Sequence, residues 1–222
     1  MRRANIVVGV AALCGAFAAQ AEPMHAAVDR GRYLAAAGDC AACHTADGGQ
    51  PYAGGRPVPT PFGVIYSTNI TPDKDTGIGK WTEDEFYRAM HEGISADGKH
   101  LYPAFPYPWY TKLSRADVDA IKAFLETLPP VHQEAKKTAL PWPLSVREVM
   151  TGWNALYFKK GEYQSDPGQS AEWNRGAYLV EGLGHCGACH TPKNIAGGMK
   201  TRDNLQGGYG ENWYATSLTN DV

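Results

Sequence analysis

Beyond the first two dozen residues the chain has no apolar run long enough to cross a bilayer, and no cluster of lysine and arginine. Of its 222 residues, 21 are basic and 23 acidic, so nothing tracks phosphates and nucleic acid is excluded as a partner. Cysteine and methionine are scarce, at five each. Any chemistry that needs sulfur must therefore come from a few fixed places.

The apolar run that is present stands at the start. Arg2 and Arg3 are followed by an apolar stretch from Ile6 to Ala19, then by Ala19-Gln20-Ala21. The small-x-small pattern predicts a cleaved secretory leader over residues 1–21. The alternative is an uncleaved membrane anchor. Leu13 beside Cys14 argues against a lipid anchor there, and the arginine pair lacks the rest of a twin-arginine signal. Export to the periplasm is the expectation. Loss of Arg2 and Arg3 would leave 19 basic against 23 acidic residues, and loss of Cys14 would leave Cys40, Cys43, Cys186 and Cys189.

In an oxidising compartment four cysteines first suggest two disulfides. Their arrangement says otherwise. Cys40-Ala41-Ala42-Cys43-His44 and Cys186-Gly187-Ala188-Cys189-His190 each place two thiols nearly one helical turn apart, on one face. That spacing suits thioether bonds to the two vinyl groups of one haem, with the following histidine as an axial iron ligand. Competing chemistry fits less well. A four-cysteine zinc site wants a compact pair of knuckles, not halves 146 positions apart. A thioredoxin-like redox pair needs no histidine. The sequence thus predicts two sites for haem c: Cys40, Cys43, Cys186 and Cys189 bind the macrocycles, and His44 and His190 bind the metal.

Both sites lie in an internal repeat. Arg30-Gly31-Arg32-Tyr33-Leu34 precedes the first, and Arg175-Gly176-Ala177-Tyr178-Leu179 the second. Tyr66-Ser67-Thr68-Asn69-Ile70-Thr71-Pro72-Asp73 is answered by Tyr214-Ala215-Thr216-Ser217-Leu218-Thr219-Asn220-Asp221. The second copy reaches Val222 at a point matching the middle of the first, so a complete second module is expected to need roughly fifty further residues.

Periodicity within the first module predicts three helices. One runs from Val28 to Ala37. A second opens at the capping box Thr82/Glu85 and turns Phe86, Ala89 and Met90 inward. A third is capped by Ser114 with Asp117, carries the stripe Val118, Ile121, Leu125 and Leu128, and stops at Pro129-Pro130. The stretch between Gly48 and Gly79 is expected to be a long loop. After Pro141-Trp142-Pro143, an amphipathic connector helix should carry Val146, Val149, Met150 and Trp153 as packing residues, with a direct electron-transfer role for Met150 or Trp153 as the alternative. The predicted class is mostly α: tandem small helical domains wrapped around covalently bound haem, rich in loops. The boundaries read 22–130 for the first domain, 131–172 for the connector and 173–222 for a truncated second domain.

Further strings carry a resemblance. Thr60-Pro61-Phe62-Gly63, Asn69-Ile70-Thr71, Thr76-Gly77-Ile78-Gly79 with Trp81, Asp97-Gly98-Lys99-His100-Leu101-Tyr102-Pro103 and the connector's Gly152-Trp153-Asn154 resemble the multihaem cytochrome c subunits of membrane-bound bacterial dehydrogenases. Their partners oxidise alcohols, aldehydes, gluconate or nicotinate. The resemblance implies class I-like cytochrome c domains and a periplasmic dehydrogenase catalytic subunit as partner. It also implies quinone or a terminal oxidase as electron acceptor, and a place at the outer face of the inner membrane through the partner or a further segment. A third haem site beyond Val222 is implied as well, while the polypeptide makes and breaks no bonds of a substrate. A dihaem cytochrome c peroxidase and a free-standing dihaem carrier are the alternatives.

One position departs from the family. Many members of that family supply the second iron ligand as methionine in an Ala-Met-Pro-Tyr-Pro string, where this chain has Ala104-Phe105-Pro106-Tyr107-Pro108. Met90, His91, His100 or an open face are the substitutes considered for the first haem. The distal ligand of the second is expected beyond Val222, since Met199 is too close to the attachment turn. Tyr33, Tyr178, Trp81 and Trp109 are candidate pocket walls.

Overall fold

The computed structural model describes residues 11–219, with side chains from residue 24 onward. Residues 1–10 of the expected leader lie outside it. Among the described residues no helix is long and apolar enough to cross a membrane.

The first helix, α1, runs from Ala11 to Ala37, well upstream of the expected start at Val28, because the alanine-rich stretch before it has high helix propensity. It crosses α5 (Arg115–Leu125) at Gly31, where a Cβ would overlap the Ala120 carbonyl. Only glycine lets the two backbones meet this closely. Leu34, Leu113, Val118, Ile121 and Leu125 are fully buried around the crossing. Each large aliphatic side chain so buried contributes about 1.5–3 kcal/mol.

The caps are as read. Thr82 and Glu85 close a reciprocal capping box on α3 (Glu83–Glu92), which buries Phe86, Ala89 and Met90 and ends at Gly93 in the left-handed region. The Ser114 hydroxyl accepts from the Asp117 N–H to start α5. That helix stops at Leu125, and Leu128 follows in a hydrogen-bonded turn before the two prolines.

Five short elements complete the first module and connector. The attachment turn is α2 (Cys40–His44). Within the expected long loop lies an antiparallel hairpin, β1 (Pro57–Thr60) and β2 (Gly63–Tyr66). Its prolines hid it, since proline is tolerated only on sheet edges and this sheet is all edge. A single turn, α4 (Tyr107–Tyr110), places two tyrosines in the core. The connector helix α6 (Val149–Tyr157) starts after Val146, which is exposed; Met150 is buried.

Adjacent connector residues reach different modules. Asn154 Oδ1 accepts from the Tyr107 hydroxyl at 2.5 Å, while Trp153 Nε1 donates to the Ala196 carbonyl at 2.9 Å. The second module then repeats the first: α7 (Ala171–Tyr178), a π-helical turn over Leu179–Leu183, α8 (Gly187–His190), and a hairpin of β3 (Gly208–Gly210) and β4 (Trp213–Ala215).

The π turn has a sequence cause. Leu34 precedes Cys40 by six positions, whereas Leu179 precedes Cys186 by seven. In the first copy Gly38 N–H donates to the carbonyl of Leu34; in the second, Gly184 N–H donates to that of Leu179, one residue further back. The inserted residue is absorbed as an i→i+5 bond, so both chain segments enter their attachment turns alike.

Candidate cofactor site

Each attachment turn begins with a residue in the left-handed region, Asp39 at φ 54° and His185 at φ 36°. That kink starts a new one-turn helix, along which the two cysteines share a face and the histidine follows. All four thiols are free. The disulfides that the cysteine count first suggests are therefore not formed, and among the described residues no group of three or more His, Cys, Asp or Glu could hold a metal ion as a zinc knuckle would.

His44 Nδ1 lies 2.7 Å from the Thr68 carbonyl oxygen, and His190 Nδ1 lies 2.7 Å from that of Thr216. A carbonyl only accepts, so each Nδ1 carries the proton and each Nε2 keeps its lone pair for a metal. Burial lowers the His44 pKa, with the Thr68 bond opposing it, so the ring stays neutral near pH 7. The carbonyl of each histidine is also held, by the N–H of Gly54 at 2.7 Å and of Gly207 at 2.8 Å. Two soft sulfurs and one tautomer-fixed imidazole, with Cys40, Tyr52, Ile70, Trp81 and Phe105 packed on the apolar core, form a donor set that fits haem c.

Burial pushes the Cys40 thiol up to about 12, with Cys43 and Asp39 adding to it. The Cys43 thiol is also raised, first by burial; Arg56 opposes this, and Glu211, Asp39 and Cys189 add to it. The two turns approach one another through Arg56, which bonds Glu211 next to Gly210, itself close to Cys189.

Of the candidate second iron ligands, His100 is engaged through a ring nitrogen. Met90 is buried in the core cluster. His91 stacks on Tyr87 at 4.8 Å, with its buried Nε2 unpartnered. His100 Nε2 lies 3.0 Å from the Thr151 hydroxyl of α6, so the expected ligand loop is tied to the connector. Met199 pairs through its backbone with Lys193. Phe105 packs edge-on to Tyr110 at 5.4 Å.

Among the expected walls, Trp81 packs against the core and Trp109 presses on Gly187 of the second turn. Tyr33 is more than half exposed. Tyr178, its counterpart, joins the modules instead: its hydroxyl donates to Asp117 Oδ2 at 2.6 Å and receives the Ser114 N–H at 3.2 Å. Arg30 completes this buried carboxylate's shell, its Nε donating to Asp117 Oδ1 at 2.6 Å. Sequence reasoning missed this triad, although Arg30 and Tyr178 both lie in the repeat.

Helices wrapped around an apolar core and an attachment turn are the architecture of a cytochrome. Residues 28–129 match the family model for cytochrome c, so the chain carries a cytochrome c domain.

Several curated proteins to which it is similar are named as dehydrogenase subunits. It is 54% identical over 194 residues to a subunit of the nicotinate dehydrogenase of Pseudomonas putida, covering 87% of this chain and 16% of that protein. It is 46% identical over 206 residues to the gluconate 2-dehydrogenase cytochrome c subunit of Pantoea cypripedii, covering 88% of this chain and 47% of that protein. A dihaem cytochrome c-type protein of Cereibacter sphaeroides is 40% identical over 184 residues, covering 78% of this chain and 59% of that one. The chain thus spans less than half the length of the first two.

Proposed function

We propose that this chain carries electrons through two covalently bound haem c groups, as the cytochrome subunit of a periplasmic dehydrogenase. The observation that carries the reading is the paired geometry of His44 with Thr68 and His190 with Thr216, both at 2.7 Å. When bound, haem c supplies an iron that takes up and gives out one electron at a time.

The protein's own residues fix and tune that group. Cys40 and Cys43 Sγ hold one macrocycle, and Cys186 and Cys189 Sγ the other. His44 and His190 present Nε2 to iron. Each Nδ1–H donated to a threonine carbonyl makes its imidazole a stronger base, which favours ferric iron and lowers the potential. Apolar side chains around Leu34, Phe86 and Tyr110 keep water from the first site. Ligation by residues 40–44 and 186–190 assigns one haem to a module over residues 22–130 and one to a module beginning at 173, with 131–172 as connector.

Relatives named as subunits of nicotinate, gluconate, alcohol and fructose dehydrogenases support a dehydrogenase catalytic subunit as donor. The leader pattern supports export to the periplasm. Quinone or a terminal oxidase completes the path as acceptor, at the outer face of the inner membrane. The test is affinity purification of the tagged chain from native membranes. A co-eluting dehydrogenase in fixed stoichiometry is expected; a solitary soluble protein, with or without peroxidase turnover, overturns the subunit reading.

A further inference from the structure

The tip of the second hairpin is built against local preference. Glu211 and Asn212 have φ of 49° and 67° between paired Gly210 and Trp213, so they form a two-residue turn that needs two left-handed residues. Asparagine and glycine suit such positions. Glutamate there costs about 1–2 kcal/mol. What offsets the cost lies 155 positions away: Arg56 Nη1 and Nη2 donate to Glu211 Oε1 and Oε2 at 3.1 and 2.6 Å, a fork on a carboxylate.

This pair sits between the attachment turns. Gly54, two residues before Arg56, donates its N–H to the carbonyl of His44 in the first turn at 2.7 Å. On the other side, a Cβ placed on Gly210 would stand 3.0 Å from Cys189 Sγ. A second contact closes the same junction. His185, which leads into Cys186, packs edge-on to Tyr110 at 5.6 Å, and the Tyr110 hydroxyl donates to the Gly38 carbonyl at 3.2 Å, two residues before Cys40. A Cβ on Gly38 would meet the Leu183 Cδ1 at 2.9 Å, so the two segments approach closely here.

We propose that the Arg56–Glu211 pair is a latch holding the two haem-attachment turns at a fixed mutual geometry, with His185 against Tyr110 as its hinge side. Both residues are positioning residues; neither ligates the cofactor. The inference rests on the two-haem reading above, and a count of haems per chain tests that reading separately.

The experiment uses the matured chain from a periplasm competent to attach haem. Haem content is counted first, and fewer than two per chain overturns the underlying reading. Circular dichroism in the Soret band then reports mutual geometry, because two haems held close and fixed give a bisignate signal. The two-haem wild type should show it. Arg56→Gln and Glu211→Gln should each lower its amplitude about twofold or more, and the swap Arg56→Glu with Glu211→Arg should restore most of it. Glu211 is partly exposed, so its substitution leaves the core intact. A wild type without the signal, or single variants that leave it unchanged, overturns the latch. So does loss in Arg56→Gln alone, which would mean that the guanidinium serves the haem and not Glu211.

Discussion

His44 Nδ1 stands 2.7 Å from the carbonyl oxygen of Thr68, 24 positions on, and this one bond fixes which nitrogen of the ring is left for iron. Gly54 keeps that carbonyl in place. At φ 77° it is in the left-handed region, and a Cβ there would collide with the Thr68 carbonyl. Gly54→Ala should therefore cost about 2 kcal/mol, a fall of roughly 10 °C in melting temperature for a module of this size. It should also raise the first site's potential, by weakening the bond that makes His44 basic, while leaving the second unchanged. Gly48→Ala is the control: its φ is 67°, yet nothing lies within 4 Å. A thermal melt and a redox titration of both variants check this.

Tyr178→Phe should loosen the modules. It removes a 2.6 Å bond to Asp117, a carboxylate only 2% exposed, and leaves an acceptor short of a partner. The expected loss is about 1.5–3 kcal/mol in chemical denaturation. Tyr33→Phe, at the equivalent exposed position, should change stability by less than about 0.5 kcal/mol.

Phe105→Met should raise the potential of the first site only. The family resemblance implies a methionine ligand at this place, and methionine opposite histidine raises haem potential. The volume change against Tyr110 is modest, so the stability cost should stay below about 1.5 kcal/mol. A redox titration in which both sites keep their wild-type potentials would show that the Phe105 loop does not face the iron.

Stability should fall with acidity below about pH 6.5. Burial lowers the pKa of both His91 and His185, so the unfolded chain binds their protons at higher pH than the folded one does. The neutral-ring contribution is complete above the unfolded pKa and is lost as pH falls through the lowered folded values. Denaturation midpoints at pH 7.5 and 5.5 measure it. Replacing His185 with Gln should flatten the difference in part.

Local chemistry made much of this legible in advance. The caps at Thr82 and Ser114 were readable because a hydroxyl three residues before an acid has one use at a helix start. The attachment turns were readable because the cysteines and histidine must share a face. The β1–β2 hairpin was not, since Pro57, Pro59 and Pro61 look like loop residues until an edge sheet is seen to accept them. Nor was the Arg56–Glu211 pair, which joins residues far apart along the chain through a turn that glutamate does not favour. Repeat matching found Tyr33 and Tyr178 as equals but did not show their different surroundings: one faces solvent and the other a buried aspartate. The single extra residue before Cys186 was present in the alignment of the copies, and its meaning as a π turn needed the backbone.

The most direct measurement is the intact mass of the chain exported into a periplasm that attaches haem, with each histidine variant beside it. Two haem groups per chain are expected, retained covalently in denaturant, with His44→Ala and His190→Ala each altering the spectrum of one. A chain carrying a single haem, or none with its four cysteines paired as disulfides, would contradict the account.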